Sequence, residues 1–560
     1  MRSKGIPQGR PLETAIAKDF RGGWNTFDTA LNLSSRYLPE VTNLYPDTNG
    51  RLRLRFGTSL FSDTAAQLDD IIGVEYYAGA LVAVGANGKI VTINASGTVT
   101  VRWNTAIAAA LPGAPAAWST GLTFVSFTQF AGSLIICNGV DKPVTMNELY
   151  AVSYLQDAGT GSNANVPRAK YCCTHNDYLI LAVTPTEDHT LHIGNKGSAG
   201  TFVGDPAPND AVAFRCDTYI NIGTPTITGL CSFRDKLIVS FNEVVLAVQL
   251  GTYNASSEHV PSVADTIDNL GAISHRCIVP LGDDVMFMDV IGVASVQRAL
   301  ITATLSPTRE STLISRDMQV ALSKFSQTQL ERYVYAVHDR VAQQLLFFVP
   351  KSTTVTATTD NDVFVYCFDK AQKLRAWTLY SNMPFRAGCR TTEGRVYLAS
   401  GTEVFRYHNQ AEPVFADNAI EDQQAWSDGT LFTDGTGWEE PGSLGGSPIS
   451  YSFTLPWTDL KHPAKMKQSK YLLQTVEGES GEYTVFMDID RYETASLQAT
   501  FTSTIEPSAS GLAERPSNND QLYAWPQRFH RMRIRVEGTA YASTAFISLG
   551  LLYQVGGIRR

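Results

Sequence analysis

The chain has no Cys-x-x-Cys pair, no long apolar run and little charge, and each shortage removes a class of protein. Its eight cysteines are Cys137, Cys172, Cys173, Cys216, Cys231, Cys277, Cys367 and Cys389, mostly inside apolar runs such as 133–137 and 363–368. That spacing signals neither a zinc site nor a redox pair, and buried reduced thiols acting as small core residues are expected. The longest apolar tract, near 106–111, stops at Pro112, far short of a bilayer span. Met1-Arg2-Ser3-Lys4 leads into Pro7 and Pro11 rather than an apolar signal region, so a soluble chain without a membrane span, made in the cytosol, is expected. Charged residues are 18% of the chain, and 45 Lys and Arg against 54 Asp and Glu leave a net −9. Such a balance argues against tight wrapping of nucleic acid, which needs many cationic contacts to phosphate. It is compatible with a passage, because an acidic or neutral wall lacks contacts that would hold a duplex carrying one charge per roughly 1.7 Å. Phosphate-loop and nucleophile-elbow motifs are missing as well.

What the chain does contain points to strands. Aromatics make up 10%, with 23 Tyr and 26 Phe, a composition that favours β-structure over long helices. A tight polar or glycine turn followed at once by an apolar run recurs: Ala78-Gly79 before Leu81, Ala131-Gly132 before Leu134, Asn176-Asp177 before Leu179, Arg234-Asp235 before Leu237, Gly282-Asp283 before Val285, Asp339-Arg340 before Leu345, and Glu393-Gly394 before Val396. The spacings between those apolar residues are 53, 45, 58, 48, 60 and 51, the period of a four-stranded propeller blade with variable loops. The expected fold is all-β: a β-propeller of six to seven blades with an N-terminal arm and a C-terminal β-sandwich.

At 560 residues the chain should divide into two or three domains. Residues 1–65 read as an arm and hairpin, in which Asn49-Gly50 turns into 51–57. Alternation there puts Arg51, Arg53 and Arg55 on one face and Leu52, Leu54 and Phe56 on the other. A solvated basic face over a small core, or a face for salt bridges between subunits, would follow. Residues 66–412 carry the propeller repeats, interrupted at 311–330 by apolar spacings of 3 and 4 that predict two short helices bridging blades. Residues 413–447 shift to Asp, Glu, Gly and Trp and read as an acidic, Gly-rich linker. From 448 to 560 alternating strands return and suggest a β-sandwich, with Arg531, Arg533 and Arg535 alternating with Met532, Ile534 and Val536.

No chemical constellation stands out. His189 and His192 beside Glu187 and Asp188 sit in a loop entering a strand, where histidines three apart do not converge. Asp488 and Asp490 share a strand face before Arg491, which is commonplace for a strand end. The paired Asp-Gly-Thr segments at 428–430 and 434–436 lack a closing Glu at calcium-ligand spacing. Segment 433–438 has the wrong spacing for a sialidase-type aspartate box. No catalytic residue, metal ligand or cofactor site is assigned, and a non-enzymatic chain is expected.

One stretch does carry a resemblance. Phe20-Arg21-Gly22-Gly23-Trp24-Asn25, continued by Leu33, Leu38-Pro39-Glu40, Asn43, Gly50, Leu52, Arg55 and Gly57, resembles the opening of the tail nozzle proteins of short-tailed bacteriophages, also called tail tubular protein B or head-to-tail stabilisation protein. The likeness is densest over about 40 residues. Trp24 stands where a smaller aliphatic residue is frequent.

The resemblance implies a virion structural protein of the phage tail, assembled in the host bacterial cytoplasm. It implies a homo-hexameric ring below the portal and adaptor, a head–tail connector that prolongs the DNA channel for ejection. Partners would be the adaptor, fibres or a needle or plug, and double-stranded DNA passing through the lumen without sequence-specific binding. Phe20, Trp24 and Phe27 become candidate anchors in a subunit contact, with Arg21, Gly22, Gly23, Asn25, Arg51, Arg53 and Arg55 as further assembly residues. The main alternative is a carbohydrate- or receptor-binding propeller of the tail that uses loop aromatics such as Trp426 and Trp438. A glycan hydrolase would instead need paired carboxylates across a propeller mouth.

Overall fold

The structure, a computed structural model, describes residues 13–555 apart from 30–31, 112–116, 157–162, 203–209, 221–224, 255–258, 283, 297–309, 357, 370, 411–412, 418, 421–446, 461–464, 479–480, 490–500, 506–518, 525–527, 530 and 541–543. Most of the acidic linker, with Trp426, Trp438, both Asp-Gly-Thr segments and also Asp490, therefore lies outside the described residues, while its start is not a free linker: Ala416–Asp417 pairs with Ser447–Thr454 and Ala419–Ile420 with Thr58–Asp63.

The fold is a β-propeller joined to a second, two-layered unit. Seven antiparallel sheets follow one another along the chain, at 71–103, 126–154, 171–215, 229–268, 278–295, 335–380 and 387–407. Among the described residues the fifth has three strands, whereas each of the first four has four. Three strands of the seventh sheet come from its own stretch, and Thr58–Asp63 adds the fourth, running from Tyr407 opposite Thr58 to Glu403 opposite Asp63. A strand from early in the chain thus completes a sheet from late in it, which leaves no open end to the ring.

Each leading strand lies beside that of the next sheet, and Ala387–Arg390 of the seventh returns to Ile71–Tyr77 of the first. Between first and second, Gly73 lies directly against Val125 and Phe127. Separate apolar clusters fill the seams. Ile71, Val74 and Ala83 meet Ala387, Cys389 and Val404 between first and seventh, while Tyr335, Val337 and Val365 meet Val396, Leu398 and Phe405 between sixth and seventh.

Every recurring turn seen in the sequence falls between a leading strand and its neighbour, with Asp283 of the fifth outside the described residues, so the turns share one side of the ring. Ala78-Gly79, Ala131-Gly132 and Asn176-Asp177 have positive φ at both residues, the two-residue turn whose twist matches that of the flanking strands. The expected helices are also present, as Ser315–Leu322 and Gln327–Tyr333 between the fifth and sixth sheets. Ser326 and Gln329 close a reciprocal capping box at the start of the second.

The second unit draws on both ends of the chain. One layer contains Ser447–Thr454, Met532–Ala540, Gly481–Ile489 and Phe501–Ile505; the other contains Lys467–Gly478, Thr544–Val555 and Asn519–Ala524. Tyr451, Phe453 and Tyr483 surround Phe546 with ring centroids 5.0–5.8 Å apart. Residues read as an arm are shared out among these sheets. Glu13–Ala17 pairs with Thr544–Val555, and the hairpin Leu44–Pro46 and Leu52–Leu54 joins the same layer. Glu40–Thr42 lies between Ser447–Thr454 and Leu374–Tyr380 of the sixth sheet, so one continuous sheet runs from the propeller into the second unit. Residue 65 is therefore no boundary between structural units, because the strand that ends at Asp63 belongs to the ring.

Candidate functional site

The segment that carries the family resemblance sits at the junction of the two units. Asp19 receives Arg21 through its backbone N–H at 3.1 Å and its Nε at 2.9 Å, and Arg36 adds a second cation at 3.2 Å. The hydrogen bond from Arg21 holds the Asp19 carboxyl below the usual carboxylate range. Phe20 follows, fully buried and edge-on to Phe453 at 6.2 Å.

Gly23 has φ +66°, and a Cβ there would stand 2.6 Å from the Trp377 carbonyl oxygen. Only glycine allows the chain both that conformation and that approach. Trp24 then stacks on Phe364 at 6.0 Å and donates from Nε1 to the Pro39 carbonyl at 3.2 Å. Asn25 closes the segment by accepting from the backbone of Phe27 and Asp28. Phe20 and Trp24, expected to anchor a neighbouring subunit, are anchors within this one. Phe27 is different: it is 74% exposed, on a loop whose backbone is fixed to the Leu313 carbonyl.

The three alternating arginines also separate. Arg51 and Arg53 both reach Asp47, Arg53 at 2.9 Å, and stay partly exposed. Arg55 departs from the solvated face that alternation suggested. It is fully buried, bidentate to Asp417 at 2.8 and 2.5 Å, with Nε on Asn43 Oδ1 at 2.9 Å. Burial works against its charge, and Asp417 more than restores it, so the guanidinium is held above its ordinary range. Asn43 also accepts from the Ser381 N–H and donates to the Ser450 carbonyl at 2.7 Å. One polar node therefore ties the arm, the sixth sheet and the second unit together. Alternation located the arginines but gave no sign of Asp417, which lies 362 residues away.

The histidine group does not assemble. His189 Nδ1 contacts Asp188 at 3.0 Å, whereas His192 contacts Glu187 at 3.4 Å. Among the described residues no three such side chains are placed to hold a metal ion. Asp488 pairs with Arg533 at 2.7 Å, and the Arg533 guanidinium lies 5.2 Å over Trp457. All eight cysteines are buried, and burial pushes the Cys231 and Cys277 thiols up to about 12.

Two hollows remain. A cleft of about 970 Å³ opens beside Glu13, Trp457, Asp459, Arg531 and Tyr553, with the Tyr553 hydroxyl donating to Glu13 at 2.9 Å. The second, about 170 Å³, lies among the leading strands of the propeller and is walled by Glu75, Phe127, His275, Arg276 and Tyr335. Burial pushes the Glu75 carboxyl up to about 7. Sequence reading missed this axial group, because its members come from different sheets and share no local pattern.

No family model and no curated protein matches the chain. It is similar to solved propellers: the WD40 domain of Doa1 (12% identity, 63% of this chain and 97% of that one, TM-score 0.37), BamB from Moraxella catarrhalis (12%, 71% and 98%, 0.33) and the Neurospora crassa Pan2 WD40 domain (8%, 64% and 97%, 0.35).

Proposed function

We propose that this chain is a non-catalytic structural subunit of a short-tailed bacteriophage tail, a nozzle component that extends the DNA channel below the portal and adaptor. The observation that carries the reading is the position of the segment resembling that family. Residues 20–57 are the piece that fastens the propeller to the second unit, through Gly23, Trp24, Asn43 and Arg55. A subunit that must retain and deliver packed DNA benefits from having its two units move as one body, and buried ties from both ends of the chain supply this.

The propeller axis is too narrow to be the DNA path. Its hollow of about 170 Å³ is walled by side chains, and the major groove alone of a duplex is about 12 Å wide. In this proposal the duplex runs through the bore of a cyclic oligomer of six copies, with a predominantly negative lumen, and each propeller is wall material. The contact between copies must use side chains that remain outside, and Phe27 is the candidate from the resembling segment. Adaptor, fibres or a plug would meet other faces of the ring.

Native mass spectrometry of the full chain tests this. Six copies are expected, and Phe27→Asp should shift the population toward smaller species. A strictly monomeric chain at the protein density of a virion would overturn the proposal.

A further inference from the structure

Three arginines crowd one mouth of the axial channel, where the leading strands of the fifth, sixth and seventh sheets begin. Arg276 donates from Nη1 to the Arg332 carbonyl at 3.2 Å and from Nη2 to the Arg386 carbonyl at 2.6 Å, which fixes its guanidinium 5.2 Å over the Tyr335 ring. Arg332 and Arg386 both lie over Tyr333, at 4.9 and 5.7 Å.

Arg386 is 8% exposed, yet its Nε and Nη2 have no partner among the described residues. Tyr335 is 1% exposed, and its hydroxyl has none either. The Tyr335 hydroxyl feels the charge of both Arg276 and Arg386, so these donors belong to one neighbourhood. Nearby acids answer them only in part. Asp70 feels Arg386 and Arg332 but forms no ion pair with either among the described residues, and Glu331 is occupied by Lys170.

Buried donors without acceptors are costly and rare, and a cluster of them calls for an occupant. Water could accept the hydrogen bonds but would leave the charge excess in place. A planar guanidinium matches the oxygen spacing of phosphate, and the hollow of about 170 Å³, walled by Arg276, Tyr335 and by Ala387 next to Arg386, has room for one such group with some water. Glu75 on the same hollow, where ionised, repels an anion and so restricts it to the arginine side. We propose that Arg276, Arg386 and Tyr335 form a binding site for a phosphate group at the mouth of the axial channel. The site does not depend on the assembly proposed above.

Isothermal titration of the full chain with inorganic phosphate provides the test. One saturable site is expected, with a Kd of about 1 mM or tighter. Arg386→Gln should weaken it roughly tenfold, since it removes a charge-assisted contact. Tyr335→Phe, which keeps the ring stacked on Phe348 at 4.5 Å, should weaken it by a smaller factor and remains informative if the arginine variant does not fold. Repeating the titration with a 5′-phosphorylated dinucleotide identifies the source. Tighter binding than phosphate assigns a nucleic-acid terminus, and weaker binding assigns the free ion, while either result keeps the site. Absence of saturable binding to the folded wild-type chain, or binding unchanged in both variants, would overturn it.

Discussion

The propeller and the second unit solve the same problem, closing sheets around an apolar interior, by opposite uses of the chain. In the ring, each sheet pairs strands that follow one another, and the seams between successive sheets have their own apolar residues. The remote strands that join the ring are short and gather at its last two sheets: Thr58–Asp63 and Ala419–Ile420 at the seventh, Gly23–Trp24 and Glu40–Thr42 at the sixth. In the second unit, Glu13–Ala17 lies on Thr544–Val555, and Glu40–Thr42 lies between strands from 374–380 and 447–454. The ring repeats a local rule, whereas the second unit depends on pairings hundreds of residues apart, which carry a larger closure entropy before contacts repay it. A structure of this kind concentrates specificity where its two parts meet.

The largest expected effect is therefore at Arg55. Arg55→Ala leaves the buried Asp417 carboxylate without its cation and exposes Asn43 and Ser381 to lost hydrogen bonds. A loss of about 3–5 kcal/mol is expected from breaking such a pair. Replacing both partners, as in Arg55→Met with Asp417→Leu, should recover much of it, because no charge is then stranded. Urea denaturation followed by fluorescence measures both variants. A loss below about 1 kcal/mol for the single variant would mean that the node is not what fastens the units.

The same contrast explains what the sequence made legible. The hairpin turns and the apolar runs behind them gave the propeller and its repeat length, because a leading strand and its neighbour are adjacent in the chain. The capped helix Gln327–Tyr333 was readable for the same reason. Strict alternation at 51–56 placed Arg55 on a solvated face, and that expectation failed. Position within a strand says which side a residue faces but not what covers that side. Here the cover is Asp417 and the sixth sheet, delivered from remote sequence. Phe20 and Trp24 were recognisable as anchors, while the choice between an intramolecular and an intersubunit partner depended on Phe453 and Phe364. The axial group of Glu75, Arg276 and Tyr335 was invisible because a propeller axis collects one or two residues from each of several sheets.

Glu75 sharpens the comparison from inside the ring. Its carboxyl is pushed from 4.5 up to about 7, mainly by burial, while the Tyr76 N–H and Arg390 act in the opposite direction. Because the folded chain holds this proton more tightly than the unfolded chain, the contribution is fully present below about 4.5 and is lost as pH rises to about 7. Contact with water in the channel reduces the amplitude, and about 1–2 kcal/mol is expected. Melting of wild type and Glu75→Gln across that range should show the variant gaining on the wild type as pH rises, then a constant difference above 7. Parallel curves would mean that the channel is wetter than its geometry indicates. Asp339, pushed up to about 6 by burial, changes both proteins alike and cancels in the difference.

The smallest expected effect lies where the fold is most local. Ala131 occupies the first position of a two-residue turn with φ +48°, followed by Gly132 at +72°. A Cβ in the left-handed region costs roughly 1–2 kcal/mol for an ordinary residue and less for asparagine, whose short side chain can bond to the local backbone. Asn-Gly is the favoured pair for this turn, so Ala131→Asn should stabilise the chain by about 0.5–1 kcal/mol. Ala131 is exposed and shares no hydrogen-bond partner with the Arg55 node, so the gain should add to the effect of Arg55→Ala within about 0.3–0.5 kcal/mol. Additivity would show that a ring turn and the junction are energetically separate. A strong coupling between them would mean that closing the ring and docking the second unit form a single cooperative step.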